Sequence, residues 1–202
     1  MARRRDISKG EILDAARRLL QLRGCNGFSV RDVSGEVGIT TASLHYHFPT
    51  KSGLIAEILR QDCAALNERL VAIESEAETF TARLELIREH LLSTQQEPGS
   101  LGPALVGVVD MFTLPAECQT EVQQWFLSLE GWLTRFAMQA RTAGEIPQGQ
   151  PLDALIARES AALLAAMLLK RARCHLSPLQ GFSPRLASKP HGHARPPSTG
   201  LS

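Results

Sequence analysis

Between Thr40 and Lys51 the chain collects hydroxyls, imidazoles, a phenol and an amine, with few apolar residues between them. Thr40, Thr41, Ser43 and His45 fall at the start and along one face of a short helix-forming stretch. Short donors and acceptors presented by a helix suit hydrogen bonding to base edges in a major groove. Lys51 follows the capping residue Thr50, which places its ammonium near free helix amides that favour an anion. Ser29 and Arg31 stand in the same relation to the preceding helix. This is recognition chemistry rather than bond-making chemistry.

Other chemistries find little support. His45 and His47 make a His-x-His pair, but residues two apart on a helix point in different directions and do not share an ion. His191 and His193 sit in a compositionally biased tail. No metal and no cofactor are expected. Cys25, Cys63, Cys118 and Cys174 have no metal-ligand or redox spacing and read as unpaired thiols of a reducing compartment. Nothing resembles a glycine-rich phosphate loop or a nucleophilic serine elbow, and no carboxylate pair can be placed on facing walls. Trp125, Phe126, Trp132 and Phe136 repeat at helical spacing and fit either a core or a cavity wall.

The elements that would position these groups are helices. Ser8 and Glu11 have capping-box spacing before a helix from about Lys9 to Arg23, which Gly24 stops. Ser29 caps Val30–Val37, with Asp32 near its positive end. Gly38 supplies a turn that needs positive φ, and Thr40 opens a third helix ending near His47. Leu44 and Phe48 are expected to face inward. Pro49 interrupts, and Thr50 caps a long helix carrying Leu54, Ile55, Ile58, Leu59, Leu66 and Leu70. Glu74–Glu78 reads as a solvated loop. Further helices are expected at Phe80–Leu91, Ala104–Phe112, Pro115–Ala143 and Leu152–Arg173. Asp110 interrupts an apolar face and reads as a surface or paired charge.

The chain has 202 residues and a formal net charge of +1. Charge is unevenly spread: residues 1–60 carry ten Lys/Arg against six Asp/Glu, whereas residues 61–174 carry nine against fifteen. A basic head on an acidic body suits a molecule that meets phosphate with one end. Low aromatic content, 5%, with abundant Leu and Ala favours helix over sheet. The longest apolar run, Ala161–Leu169, is well short of the roughly 20 residues that span a bilayer. No apolar run follows Arg3–Arg5 as a secretion signal requires. A soluble, cytoplasmic protein without membrane contact is expected. Residues 177–202, rich in Pro, Ser, Gly, His and Arg without an acid, are expected to be disordered.

The run Leu44-His45-Tyr46-His47-Phe48-Pro49-Thr50-Lys51 resembles the end of the recognition helix and the start of the fourth helix in TetR/AcrR-type regulators. Upstream, Ile12-Leu13-Asp14-Ala15-Ala16, Gly24, Phe28-Ser29-Val30-Arg31-Asp32-Val33 and Val37-Gly38-Ile39 fall where that family's pattern puts them. The resemblance covers about residues 5–65. A weaker likeness runs from Leu114-Pro115 through Ala143-Gly144-Glu145 to Ile146.

The resemblance implies an all-α fold: a three-helix helix-turn-helix head over 5–65, with the motif at about 29–47, joined by helix four to a helical body over 66–174. It implies a homodimeric, ligand-released repressor whose partners are double-stranded operator DNA, a small-molecule effector and a second copy of itself. Tyr46, His47 and Lys51 match positions that hold phosphates. Met111, Trp125, Phe126 and Leu129 become candidates for effector contact, with a polar or acidic effector group held by Arg88, His90 or Arg135. Leu155, Ile156, Leu163, Ala166 and Met167 of the last helix offer an apolar seam for the dimer. A helical sensor or interaction protein without operator binding and a small helical enzyme are the alternative classes.

Overall fold

The computed structural model describes residues 7–95 and 97–175, and all regular structure among them is helical. The basic cluster Arg3–Arg5 and the tail 177–202 lie outside the described residues. Helix α1 spans Lys9–Arg23, α2 Val30–Val37, α3 Thr41–His47 and α4 Lys51–Glu76. Then come α5 Phe80–Ser93, α6 Pro103–Val109, a 3₁₀ turn at Met111–Thr113, α7 Ala116–Thr142 and α8 Leu152–His175.

Side-chain caps fix the early boundaries. The Ser8 hydroxyl accepts from the Glu11 amide at 3.2 Å, and the Glu11 carboxylate accepts from the Ser8 amide at 2.9 Å. Ser29 and Asp32 repeat the arrangement at α2, at 3.2 and 2.7 Å. Thr40, Thr50 and Thr79 cap α3, α4 and α5 in turn. Each cap satisfies amides that a helix start leaves without partners.

The core lies along α4. Leu54, Ile58, Leu59, Leu66, Leu70 and Ile73 are fully or almost fully buried. Opposite them α7 presents Val122, Trp125, Leu129, Trp132, Leu133 and Phe136, all buried. The Trp132 indole donates to the Leu70 carbonyl at 3.2 Å. α6 crosses close to α7 at Gly107, where a Cβ would stand 2.4 Å from a Val122 methyl.

Three expectations are corrected. The Glu74–Glu78 loop is helical through Glu76, because Ile73 is buried and the acids find cations: Glu74 pairs with Arg135 and Glu76 with Arg69. The helix expected over Ala104–Phe112 breaks at Asp110, whose carboxylate turns away to accept the Cys25 amide at 2.6 Å. The seam of α8 faces the chain's own core: Leu155, Leu163 and Met167 are buried, and Ile156 and Ala166 are half-buried. The side left free carries Ala161, Ala165, Leu168 and Leu169.

Four hydrogen bonds tie the end of α1 and its following link to the α5–α7 region. Gln21 donates to the Thr94 carbonyl at 2.9 Å, and its own carbonyl accepts from the Leu101 amide at 3.2 Å. The Cys25–Asp110 bond is the third, and the fourth runs from the Asn26 amide group to the Thr113 hydroxyl at 2.7 Å.

Candidate nucleic-acid interface

The turn between α2 and α3 is set by Gly38, at φ 75° and ψ 33°. Its amide and that of Ile39 both reach back to the Ser34 carbonyl, so the end of α2 is closed. No atom lies within 4 Å of a Cβ built on Gly38, so only backbone conformation opposes a side chain there. Gly38→Ala is therefore expected to cost about 1–2 kcal/mol in chemical denaturation, with Gly38→Asn falling between alanine and the parent.

Beneath the turn, Val33, Leu44 and Phe48 are buried. Leu44 and Phe48 thus face inward as their spacing predicts, and they anchor α3 by one side. Ser34 is buried as well; its hydroxyl donates to the Arg31 carbonyl at 3.0 Å and lies 3.5 Å from the Thr41 hydroxyl. The opposite side of α3 is open: Thr41, His45 and Tyr46 are exposed, Tyr46 at 86%.

The structure gives the candidate residues different roles. Thr40 and Ser29 are caps whose oxygens already accept a helix amide. Ser43 is half-buried with its hydroxyl 2.9 Å from that of Thr40. The His45 Nδ1 lies 3.1 Å from the Pro49 carbonyl. A carbonyl only accepts, so Nδ1 carries hydrogen, and in the neutral ring Nε2 is left as an acceptor. His47 is half-buried and meets the edge of the Tyr46 ring at 5.4 Å. Arg31 is exposed and has no ion pair among the described residues.

Lys51 is half-buried and turned inward, donating to the Phe28 carbonyl with its ammonium 4.5 Å from the Phe28 ring centre. It ties the start of α4 to the link before α2, and an ammonium keeps two further donors. A cation missed in the sequence is Lys9, whose ammonium lies 5.1 Å from the Phe48 ring centre. No spacing rule connects residues so far apart in the chain. Hydrogen bonds from the Ser29 hydroxyl and amide hold the Asp32 carboxyl below the usual range.

In the body, a small cavity is lined by residues of α4, α5, α6, α7 and α8, Asp62, His90, Trp125 and Met167 among them. Of the four effector candidates only Trp125 lines it. Leu129 is buried, Phe126 is half-buried with its ring 5.0 Å from that of Trp125, and Met111 sits in the 3₁₀ turn. Arg88 and Arg135 face outward in ion pairs with Glu85 and Glu74. Among the described residues no group of three or more His, Cys, Asp or Glu side chains is placed to hold a metal, and no helix is long and apolar enough to cross a membrane.

The family model for bacterial regulatory proteins of the tetR family matches residues 12–58, the segment that runs from α1 into the first third of α4. The HTH-type transcriptional repressor KstR2 of Rhodococcus jostii (strain RHA1) is 42% identical over 50 residues, 25% of this chain and 24% of that protein. The match therefore spans about a quarter of the curated relative. A TetR-family transcriptional regulator from Agrobacterium tumefaciens superposes with a TM-score of 0.74 at 27% identity, over 81% of this chain and 86% of that one. A TetR transcriptional regulator from Legionella pneumophila gives 0.70 at 20% identity, over 84% and 89%, a likeness of fold. Residues 12–58 thus match the tetR family in sequence, and the helical architecture along most of the chain is similar to that of solved TetR-family regulators.

Proposed function

We propose that the chain is a sequence-specific DNA-binding transcriptional repressor that acts in the cytoplasm as a homodimer and is released from a palindromic operator by a small-molecule effector. The observation that carries this reading is α3 itself: one side is anchored by buried Leu44 and Phe48, while Thr41, His45 and Tyr46 stand free on the other. Exposed polar groups on a rigidly seated helix are what base-edge reading in a major groove requires. Residues 5–65 form the DNA-binding head and 66–174 the effector-binding and dimerisation body. No catalytic role is assigned to any residue.

The free faces of α7 and α8 support the dimer. Leu127 and Met138 are exposed on α7, with Gly131 between them open to approach. Leu168 and Leu169 are exposed on α8 beside Ala161 and Ala165. Apolar and small residues along two adjacent helices fit a four-helix interface between copies. Communication has two routes: α4, shared by head and body, and the hydrogen bonds from Gln21, Cys25 and Asn26. An effector that favours a body conformation unsuited to operator spacing weakens DNA binding, and DNA weakens effector binding equally.

Two cations test phosphate anchoring. Arg31→Ala is expected to weaken binding to all duplexes and to lower the salt slope by about one, with an unchanged melting temperature, since Arg31 makes no ion pair among the described residues. Lys51→Met is expected to weaken DNA binding and to lower the melting temperature as well, because it strips the Phe28 carbonyl of its donor. Fluorescence anisotropy across a salt series, with thermal melts alongside, measures both. Unchanged affinity and slope in both variants would contradict phosphate anchoring by these residues.

A further inference from the structure

We propose that the body cavity binds a protonated amine on an apolar frame, with the carboxylate of Asp62 as its counter-ion. This rests on the reading of the body as a small-molecule sensor and names the chemistry it takes.

Apart from Asp62, the cavity walls are largely apolar: Leu66, Leu91, Leu105, Trp125 and Met167 surround it. The Asp62 carboxylate accepts one long hydrogen bond, from the Ala104 amide at 3.3 Å, and makes no ion pair among the described residues. Arg17, the cation whose charge acts on Asp62, donates instead to the Gln61 side chain at 2.9 Å. Asp62 is half-buried; a carboxylate partly withdrawn from water without a counter-charge is destabilised, and a bound cation offsets that cost. Burial pushes its pKa up to about 6, against the lowering effect of the Ala104 amide and Arg17. At neutral pH it is still mainly ionised.

The charged and titratable groups around Asp62 are few. Arg17 stands on α1 and His90 on α5, while the cavity-lining residues of α6, α7 and α8 are all uncharged. His90 is held below its usual range by burial and then by Arg69, so it is neutral at pH 7.5. An acidic ligand group, which the cations of the sequence suggested, would meet one carboxylate and no charged partner.

A structural role for Asp62 has a different signature. Gly102 offers no side chain to cap α6, and Asp62 takes that place at the Ala104 amide. An amide oxygen at this position caps equally well, so Asp62→Asn keeps the cap and removes only the charge. The cavity's free volume is about 20 Å³, room for roughly one water. A Cβ at Gly102 would stand 2.8 Å from the terminal methyl of Met167, so Met167 fills the space beside it. This unbranched side chain can swing aside to admit a ligand.

The test uses the full chain and three probes of one shape: 2-phenylethylamine, 2-phenylethanol and phenylacetate. Titration calorimetry at pH 7.5 is run on the parent, Asp62→Asn and the enlarged Met167→Ala variant. The amine is expected to bind at least about tenfold tighter than the alcohol, with phenylacetate weakest. Asp62→Asn should bring amine and alcohol within about twofold. The folded-state pKa of Asp62 is raised, so the parent loses stability relative to Asp62→Asn as pH rises from about 4 through about 6. Melting temperatures should therefore coincide near pH 4, and the variant should melt higher at pH 7.5. Tightest binding of phenylacetate, an amine preference that survives in Asp62→Asn, or no amine binding even to Met167→Ala would each overturn the proposal. Amine binding that leaves DNA affinity unchanged upholds the site and counts against effector release alone, so the two failures are distinguishable.

Discussion

The triple variant Thr41→Ala, His45→Ala, Tyr46→Ala is expected to lose at least a hundredfold in affinity for its operator while melting within a degree or two of the parent. The three side chains occupy the open side of α3 and are exposed in the free protein, Tyr46 most clearly at 86%. Their internal contacts are slight: the Thr41 hydroxyl lies 3.5 Å from that of Ser34, and His45 touches the Pro49 carbonyl at 3.1 Å. Each good base contact contributes about 1–3 kcal/mol of discrimination, so losing those of Thr41 and His45, together with the phosphate contact expected of Tyr46, accounts for the expected drop. Affinity for random duplexes should fall much less, because Lys9, Arg31 and Lys51 remain. Electrophoretic mobility shifts on operator and scrambled DNA, paired with thermal melts, measure the split. A variant that kept operator affinity would move recognition away from this face of α3.

Trp132→Ala is expected to lower the unfolding free energy by about 3–5 kcal/mol, a large part of the stability of a chain of this size. Trp132 is 3% exposed and sits where α7 crosses α4. Its ring stacks at a tilt on Phe136, 5.0 Å between centres, and its N–H satisfies the Leu70 carbonyl. Alanine leaves a cavity and removes that donor together. Trp132→Phe keeps most of the volume and loses the donor, so its cost should be nearer 1–2 kcal/mol. Urea titration followed by circular dichroism measures both. Near-equal costs would show that the hydrogen bond, not packing, dominates at the crossing.

Short-range chemistry was legible in the sequence. Ser8 with Glu11, Ser29 with Asp32, and Gly38 mark boundaries because capping and positive φ depend on residues within four positions of one another. Periodicity placed Leu44 and Phe48 inside, because a helix has one buried face. What a buried face meets was not legible. The α8 stripe from Leu155 to Met167 was apolar as expected, but the chain's own core takes it. Asp110 breaks an apolar helix for an amide 85 residues away. Lys51 was placed correctly at a helix start, yet its amine turns to Phe28. Asp62 lay unnoticed on a long amphipathic helix, since its chemistry comes from walls that four other helices bring to it.

Selection from a pool of random duplexes by the purified full-length chain tests the central claim most directly. The account predicts enrichment of an inverted repeat with half-sites one helical turn apart or a multiple of it, and a motif that changes when Thr41 or His45 is replaced. A selection that converges on no motif, or on the same motif for the parent and both variants, would contradict it.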